Sequence, residues 1–131
     1  MSADNIVSSA LAQIPSIVGV GVIDMGSGML LSVKTSDNHP QQVLDLLSAA
    51  TRDLFEGEMV TTIEDLWRKM RGVQGNEHYF REILISSNNF WHFFGRLHSN
   101  PNVVIVVVTR AEVNLGLLMM KCREVLARGT I

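Results

Sequence analysis

The sequence predicts an α/β fold in which one sheet is covered by helices, and three observations carry that prediction. Residues Val103 to Val108 are six consecutive aliphatics, five valines and one isoleucine, followed by Thr109-Arg110. A run so uniformly apolar reads as a strand buried on both faces, central in its sheet, with layers packed on it. After it, apolar residues recur at helical spacing from about Arg110 to Ala127, opened by Thr109 and Glu112. That helix is the nearest cover for the strand. Upstream, Ile17 to Asp24 and Met29 to Thr35 read as two strands joined across Met25-Gly26-Ser27-Gly28, a glycine-bearing hairpin turn.

The remaining elements follow in order. Ala3 to Ile14 is an amphipathic helix with Ile6, Val7, Ala10, Leu11 and Ile14 on one stripe, ended by Pro15. In the first strand Gly19 and Gly21 share a face, where another element can approach the backbone closely. Asp37-Asn38-His39-Pro40 starts a helix that runs to about Phe55 and stops near Gly57. Projected at 100° per residue, Val43, Leu47, Ala50 and Leu54 form one tight stripe. Leu46 flanks it on one side; Leu44, Thr51 and Phe55 flank it on the other. That sector spans about half the circumference, wider than the roughly 100° one sheet contact requires. The excess predicts a second contact surface.

Thr61 to Gly72 reads as a short helix opened by a capping box, with Ile63, Leu66, Trp67 and Met70 on one face. Glu64–Arg68 and Asp65–Lys69 have the spacing of favourable pairs along it. Val73 to His78 is a polar loop. Tyr79 to Ser86 and Phe90 to His98 are strands joined at Ser87-Asn88-Asn89, and Asn100-Pro101-Asn102 turns into the valine strand. In the closing helix Ala111, Leu115, Leu118, Cys122, Val125 and Leu126 form the core face. A thinner stripe of Val113, Gly116, Met120 and Ala127 suits close packing against the first helix.

Length and composition bound the function. A chain of 131 residues is naturally one domain. Its 47% apolar and 18% charged residues are rich for a monomer, so a partner surface is expected. A net charge of −2 with scattered Lys and Arg gives no footprint for nucleic acid or an anionic membrane. The single cysteine, Cys122, excludes an internal disulfide and reads as a core hydrophobe. No basic segment precedes an apolar run at the N-terminus and nothing approaches membrane-span length, so a cytoplasmic location is expected.

Catalytic signals are lacking. His39, His78, His92 and His98 show no HxH or HExxH spacing, and no Asp or Glu pair completes a ligand set, so no metal is expected. Gly19-Val20-Gly21 and Gly26-Ser27-Gly28 do not open a helix, which a phosphate loop must do. No serine has a nucleophile-elbow context. Neither a catalytic residue nor a cofactor is assigned.

The order helix–strand–strand–helix–strand–strand–strand–helix resembles the Roadblock/dynein light chain family. The resemblance rests on Ile14-Pro15-Ser16-Ile17-Val18-Gly19-Val20-Gly21, on Asp24 with the Gly26/Gly28 turn, and on the valine strand running into Asn114-Leu115-Gly116-Leu117-Leu118. That last segment is like the family's Asn-x-Gly-Leu. Two features depart from the pattern: Thr61–Gly72 resembles an added helix, and Pro-Ser-Ile replaces the family's Pro-Gly-Val.

The resemblance implies a profilin-like, five-stranded antiparallel sheet between helices, in the order αββα(α)βββα, over a single domain 1–131. It further implies a non-catalytic module that pairs as a homodimer or family heterodimer, through its third strand and second helix. Such a module binds a Ras-like small GTPase or an equivalent regulatory partner. The expected pairing residues are Arg81, Ile83 and Ile85, with Leu44 and Phe55 from the helix. The expected partner contacts are Gln41, Asp45 and Arg52. Two alternatives stand beside it: a sensor binding a small molecule between sheet and helices, for which a pocket reaching Phe94 or Trp91 would speak, and a dynein-type light-chain adaptor.

Overall fold

Helix α1 (Ala3–Gln13) begins at Ser2, whose hydroxyl accepts from the Asn5 backbone N–H at 3.3 Å. The structure, a computed structural model, describes residues 2–36, 41–72, 78 and 80–131, with Gln41 and Val43 described by backbone alone. The expected helix start at Asp37-Asn38-His39-Pro40, Tyr79, and the loop 73–77 lie outside the described residues. In α1, Ile6, Val7, Ala10 and the capping Ile14 are buried as the stripe predicts, whereas Leu11 is exposed. The chain then turns at Ser16, whose φ of 55° lies in the left-handed region that L residues other than Asn and Asp rarely occupy.

Strands β1 (Ile17–Asp24) and β2 (Leu30–Thr35) form the predicted hairpin. Its turn is held by the Asp24 carboxylate, which accepts from the Gly26 and Ser27 N–H groups and, at 2.7 Å, from the Ser27 hydroxyl. The hydroxyl bond chiefly holds the Asp24 carboxyl below its ordinary pKa.

Helix α2 (Gln41–Glu56) and helix α3 (Glu58–Arg71) meet at Gly57. A Cβ on Gly57 would lie 2.5 Å from the Asp53 carbonyl oxygen, so the joint has no room for a side chain. Helix α3 starts three residues before the expected Thr61, and the capping box is not its start. Gly57 takes the cap position without a side-chain bond, and the Thr61 and Thr62 hydroxyls donate back to the Glu58 carbonyl. Arg68 pairs with Asp65 at 3.3 Å on this helix. Gly72, in the left-handed conformation, closes α3 as predicted.

Strand β3 (Glu82–Ser86) starts later than the expected Tyr79, and β4 (Phe90–Arg96) stops before His98. Strand β5 (Val103–Arg110) absorbs Arg110, so α4 (Leu115–Arg128) begins five residues later than its apolar pattern suggests. Its cap is Asn114, whose Oδ1 accepts from the Leu117 N–H at 2.9 Å.

The five strands form one antiparallel sheet in the order β2-β1-β5-β4-β3. The valine strand is therefore central, as its composition requires. One face packs on α1 and α4 through Val20, Val22, Phe93, Ile105, Val107, Leu118, Cys122 and Leu126. The opposite face packs Ile23, Met25, Phe94, Val104 and Val106 against Phe55 of α2. Strands β2 and β3 are the two edges.

Candidate partner interface

Helix α2 lies on the sheet with an unexpected face inward. Its buried positions are Ser48, Thr51 and Phe55, with Leu44 half-buried, a spacing of four, three and four that marks one helix face. Leu47, Ala50 and Leu54, the predicted stripe, are exposed together with Leu46, which is 64% exposed. The inward polar groups are satisfied locally. Ser48 donates to the Gly28 carbonyl at 2.7 Å, and Thr51 donates to the Leu47 carbonyl one turn back at 2.8 Å. The aliphatic stripe on α2 thus has no counterpart among the described residues of this protomer.

Buried charge fixes the inner end of α2. Arg96 is 4% exposed and donates from Nε to the Phe80 carbonyl at 2.8 Å and from Nη1 to the Pro101 carbonyl at 2.7 Å. Its Nη2 reaches the Phe55 carbonyl and Glu56 Oε2 at 3.3 and 3.2 Å. One side chain thereby ties β4 to the end of α2 and to two loops.

The expected pairing residues divide. Arg81 is exposed just before β3, and Ile85 is exposed on β3, an edge strand with no neighbour on its outer side among the described residues. Ile83 packs half-buried against the α2-side core. Phe55 is corrected: it is 0% exposed, held by Arg96 and the sheet, and offers no surface to a partner. Of the expected partner contacts, Asp45 is exposed on α2. Arg52 is exposed, but its Nε donates to the Met25 carbonyl at 2.8 Å, so it anchors the hairpin turn. The Gln41 side chain lies outside the described residues.

Between α2 and the sheet lies a cavity of about 740 Å³, lined by the Gly19–Gly21 strip, Val106, Val108, Leu44, Phe90 and His92. The two glycines leave that strip of sheet bare. The cavity lining includes neither Trp91, which packs on the α1 and α4 side of the sheet, nor Phe94, which lies on the cavity's own side but in the core around Phe55. Burial lowers the His92 pKa, which keeps its ring neutral near pH 7. Its Nε2 lies 3.1 Å from the Ser87 hydroxyl.

No family model and no curated protein matches the sequence. Solved structures do match. A Roadblock/LC7 domain from Streptomyces avermitilis superposes with a TM-score of 0.64 at 14% identity, over 96% of this chain and 92% of that one. The fold is that of a Roadblock/LC7 domain. MglB from Myxococcus xanthus matches with a TM-score of 0.62 at 20% identity, over 93% and 89% of the two chains. An MglB solved in a tetrameric arrangement matches at 0.66 and 17% identity, over 95% and 82%. In this Roadblock fold the outward stripe of α2 and the outer edge of β3 are two of the surfaces that the described residues of the chain leave uncovered. Helical periodicity found the stripe and a second contact surface but not which side of α2 meets the sheet. No signal in the sequence marked Arg96 as a buried tie. No helix among the described residues is long and apolar enough to cross a membrane.

Proposed function

We propose that this chain is a single Roadblock domain that acts as a non-catalytic, self-associating scaffold for a Ras-like small GTPase or an equivalent regulatory protein. The carrying observation is α2, which turns Leu46, Leu47, Ala50 and Leu54 to solvent while its inward face holds to the sheet through Ser48, Thr51 and Phe55. A second copy is the simplest cover for a continuous aliphatic stripe on a three-layered domain with an unblocked sheet edge. Strand β3 lacks the proline or clustered lysines that discourage edge pairing. The likeness to MglB, one example of which is tetrameric, supports self-association. Ile85 and Arg81 pair across the edge, while Leu44, half-buried on the inward face of α2, lines the cavity beneath it. Asp45, Gln41 and Arg52 lie on the helix that a partner would read.

Sedimentation of the purified chain at tens of micromolar tests the first half: a mass near twice 14.5 kDa is expected, and a monomer rejects it. The second half is tested with purified Ras-like GTPases from the same genome, each loaded with GDP or a non-hydrolysable GTP analogue. Binding that depends on the nucleotide is expected. No binding at tens of micromolar in either state rejects a GTPase partner.

The cavity under α2 favours a second reading, a small-molecule sensor, because its volume falls in the range of ligand pockets. Native mass spectrometry of the chain as purified decides it: a stoichiometric adduct of a few hundred daltons supports a sensor.

A further inference from the structure

Helix α3 is attached to the domain in an unusual way. Its apolar residues Met59, Ile63, Leu66 and Met70 are exposed, and its buried side chain is a carboxylate, Glu64, at 3% exposure. Glu64 meets Glu56, the last residue of α2, and His78, which precedes β3. Donor atoms of the three lie within 4.8 Å of one another, and they come from three separate segments of the chain. We infer that Glu56, Glu64 and His78 form a binding site for one divalent first-row transition ion, which pins α3 to the body of the domain. The inference is independent of the proposed partner.

Two distances carry it. His78 Nδ1 is buried and makes no hydrogen bond, although Glu64 Oε2 lies 3.5 Å away and Glu56 Oε2 3.8 Å. A charged N–H···O pair closes to about 2.7–2.9 Å, and neither His78 contact has closed to that range. By contrast, two ligands held at about 2.0–2.2 Å by one tetrahedral ion sit about 3.4 Å apart. The observed separations match edges of a coordination shell and exceed hydrogen bonds. An imidazole with two carboxylates suits zinc, manganese or cobalt, whereas calcium and magnesium favour all-oxygen shells. No metal is expected from the sequence because no histidine has HxH or HExxH spacing and no carboxylate pair completes a ligand set; Glu56, Glu64 and His78 are 8 and 14 positions apart and meet only in the fold.

The test uses the full chain stripped with a chelator, titrated calorimetrically with Zn²⁺ and, in a second arm, Mn²⁺. One equivalent per chain is expected, with a melting temperature that rises on addition. Binding should weaken about tenfold or more in His78→Gln and Glu64→Gln and stay unchanged in His98→Gln, a control at an exposed histidine. Should Glu64→Gln fail to fold, His78→Gln at the rim decides alone. Absence of one-to-one uptake for both ions, or uptake unaffected by His78→Gln, overturns the site.

Discussion

The guanidinium of Arg96 lies over the ring of Phe55, 5.0 Å from its centre, while the same side chain donates to the carbonyl of Phe55. Phe55 fills the α2-side core, and Arg96 closes that core at its end. The planar five-donor fork serves three carbonyls and a carboxylate at once, which no other side chain can do.

Arg96→Met should therefore destabilise the protomer by about 2–4 kcal/mol, because the Phe80 and Pro101 carbonyls lose buried donors and Glu56 loses its counter-charge. Arg96→Lys should recover only part of that. Urea unfolding of the three proteins checks the ranking; equal midpoints for Lys and Arg would contradict it.

Ser16→Gly should stabilise the protein. Ser16 holds a φ of 55°, where a side chain is strained by about 1–2 kcal/mol and glycine is not. Part of that gain is offset by the greater freedom of glycine in the unfolded chain, so a net rise of about 0.5–1 kcal/mol is expected. A lowered thermal midpoint would show that the turn is not strained.

Cys122 should be inert and should make stability fall in alkali. Burial in the core, with a smaller contribution from the Glu82 charge, pushes its thiol up to about 12, against 9.0 for an exposed thiol. The unfolded chain thus releases this proton first. The stability contributed by the thiol is whole below pH 9 and is lost as pH rises toward 12. Wild type should lose up to about 1.4 kcal/mol more per pH unit above 9 than Cys122→Val does. Parallel stability curves for the two proteins would refute the burial argument.

Leu46→Glu and Leu54→Glu should separate association from folding. Both side chains are exposed in the protomer, so its unfolding free energy should move by no more than roughly 0.5 kcal/mol. The sedimenting mass should fall to that of one chain. Ile85→Asp on β3 is the matching edge variant, preferable to Ile83→Asp because Ile83 also packs the core. An unchanged mass in all three variants would remove α2 and β3 from the interface.

Much of the architecture was legible from residue pattern. Six aliphatics in a row specify a central strand wherever they fall, and the glycines at 26, 28 and 72 mark their turns by local chemistry alone. What pattern did not reveal is which side of α2 faces the sheet. The stripe of Val43, Leu47, Ala50 and Leu54 is the most apolar line on that helix, and burial of the most apolar line is the usual outcome. It is overridden by Phe55, whose ring needs the hole beneath Arg96, and by Ser48, which needs the Gly28 carbonyl. Both partners are distant in sequence, and such contacts leave no periodic trace. The start of α4 was misplaced for a simpler reason: Arg110 extends β5, and helical spacing cannot say where a strand lets go.

The α2 arrangement has a consequence for how such a protein changes over time. Attachment to the sheet depends on Ser48, Thr51 and Phe55, and the residues offered outward are a different set. Under the proposed self-association, substitutions in the outer set would redirect which copy or cousin docks there while the domain's own architecture is left intact. Specificity is thereby free to drift on a scaffold that stays put.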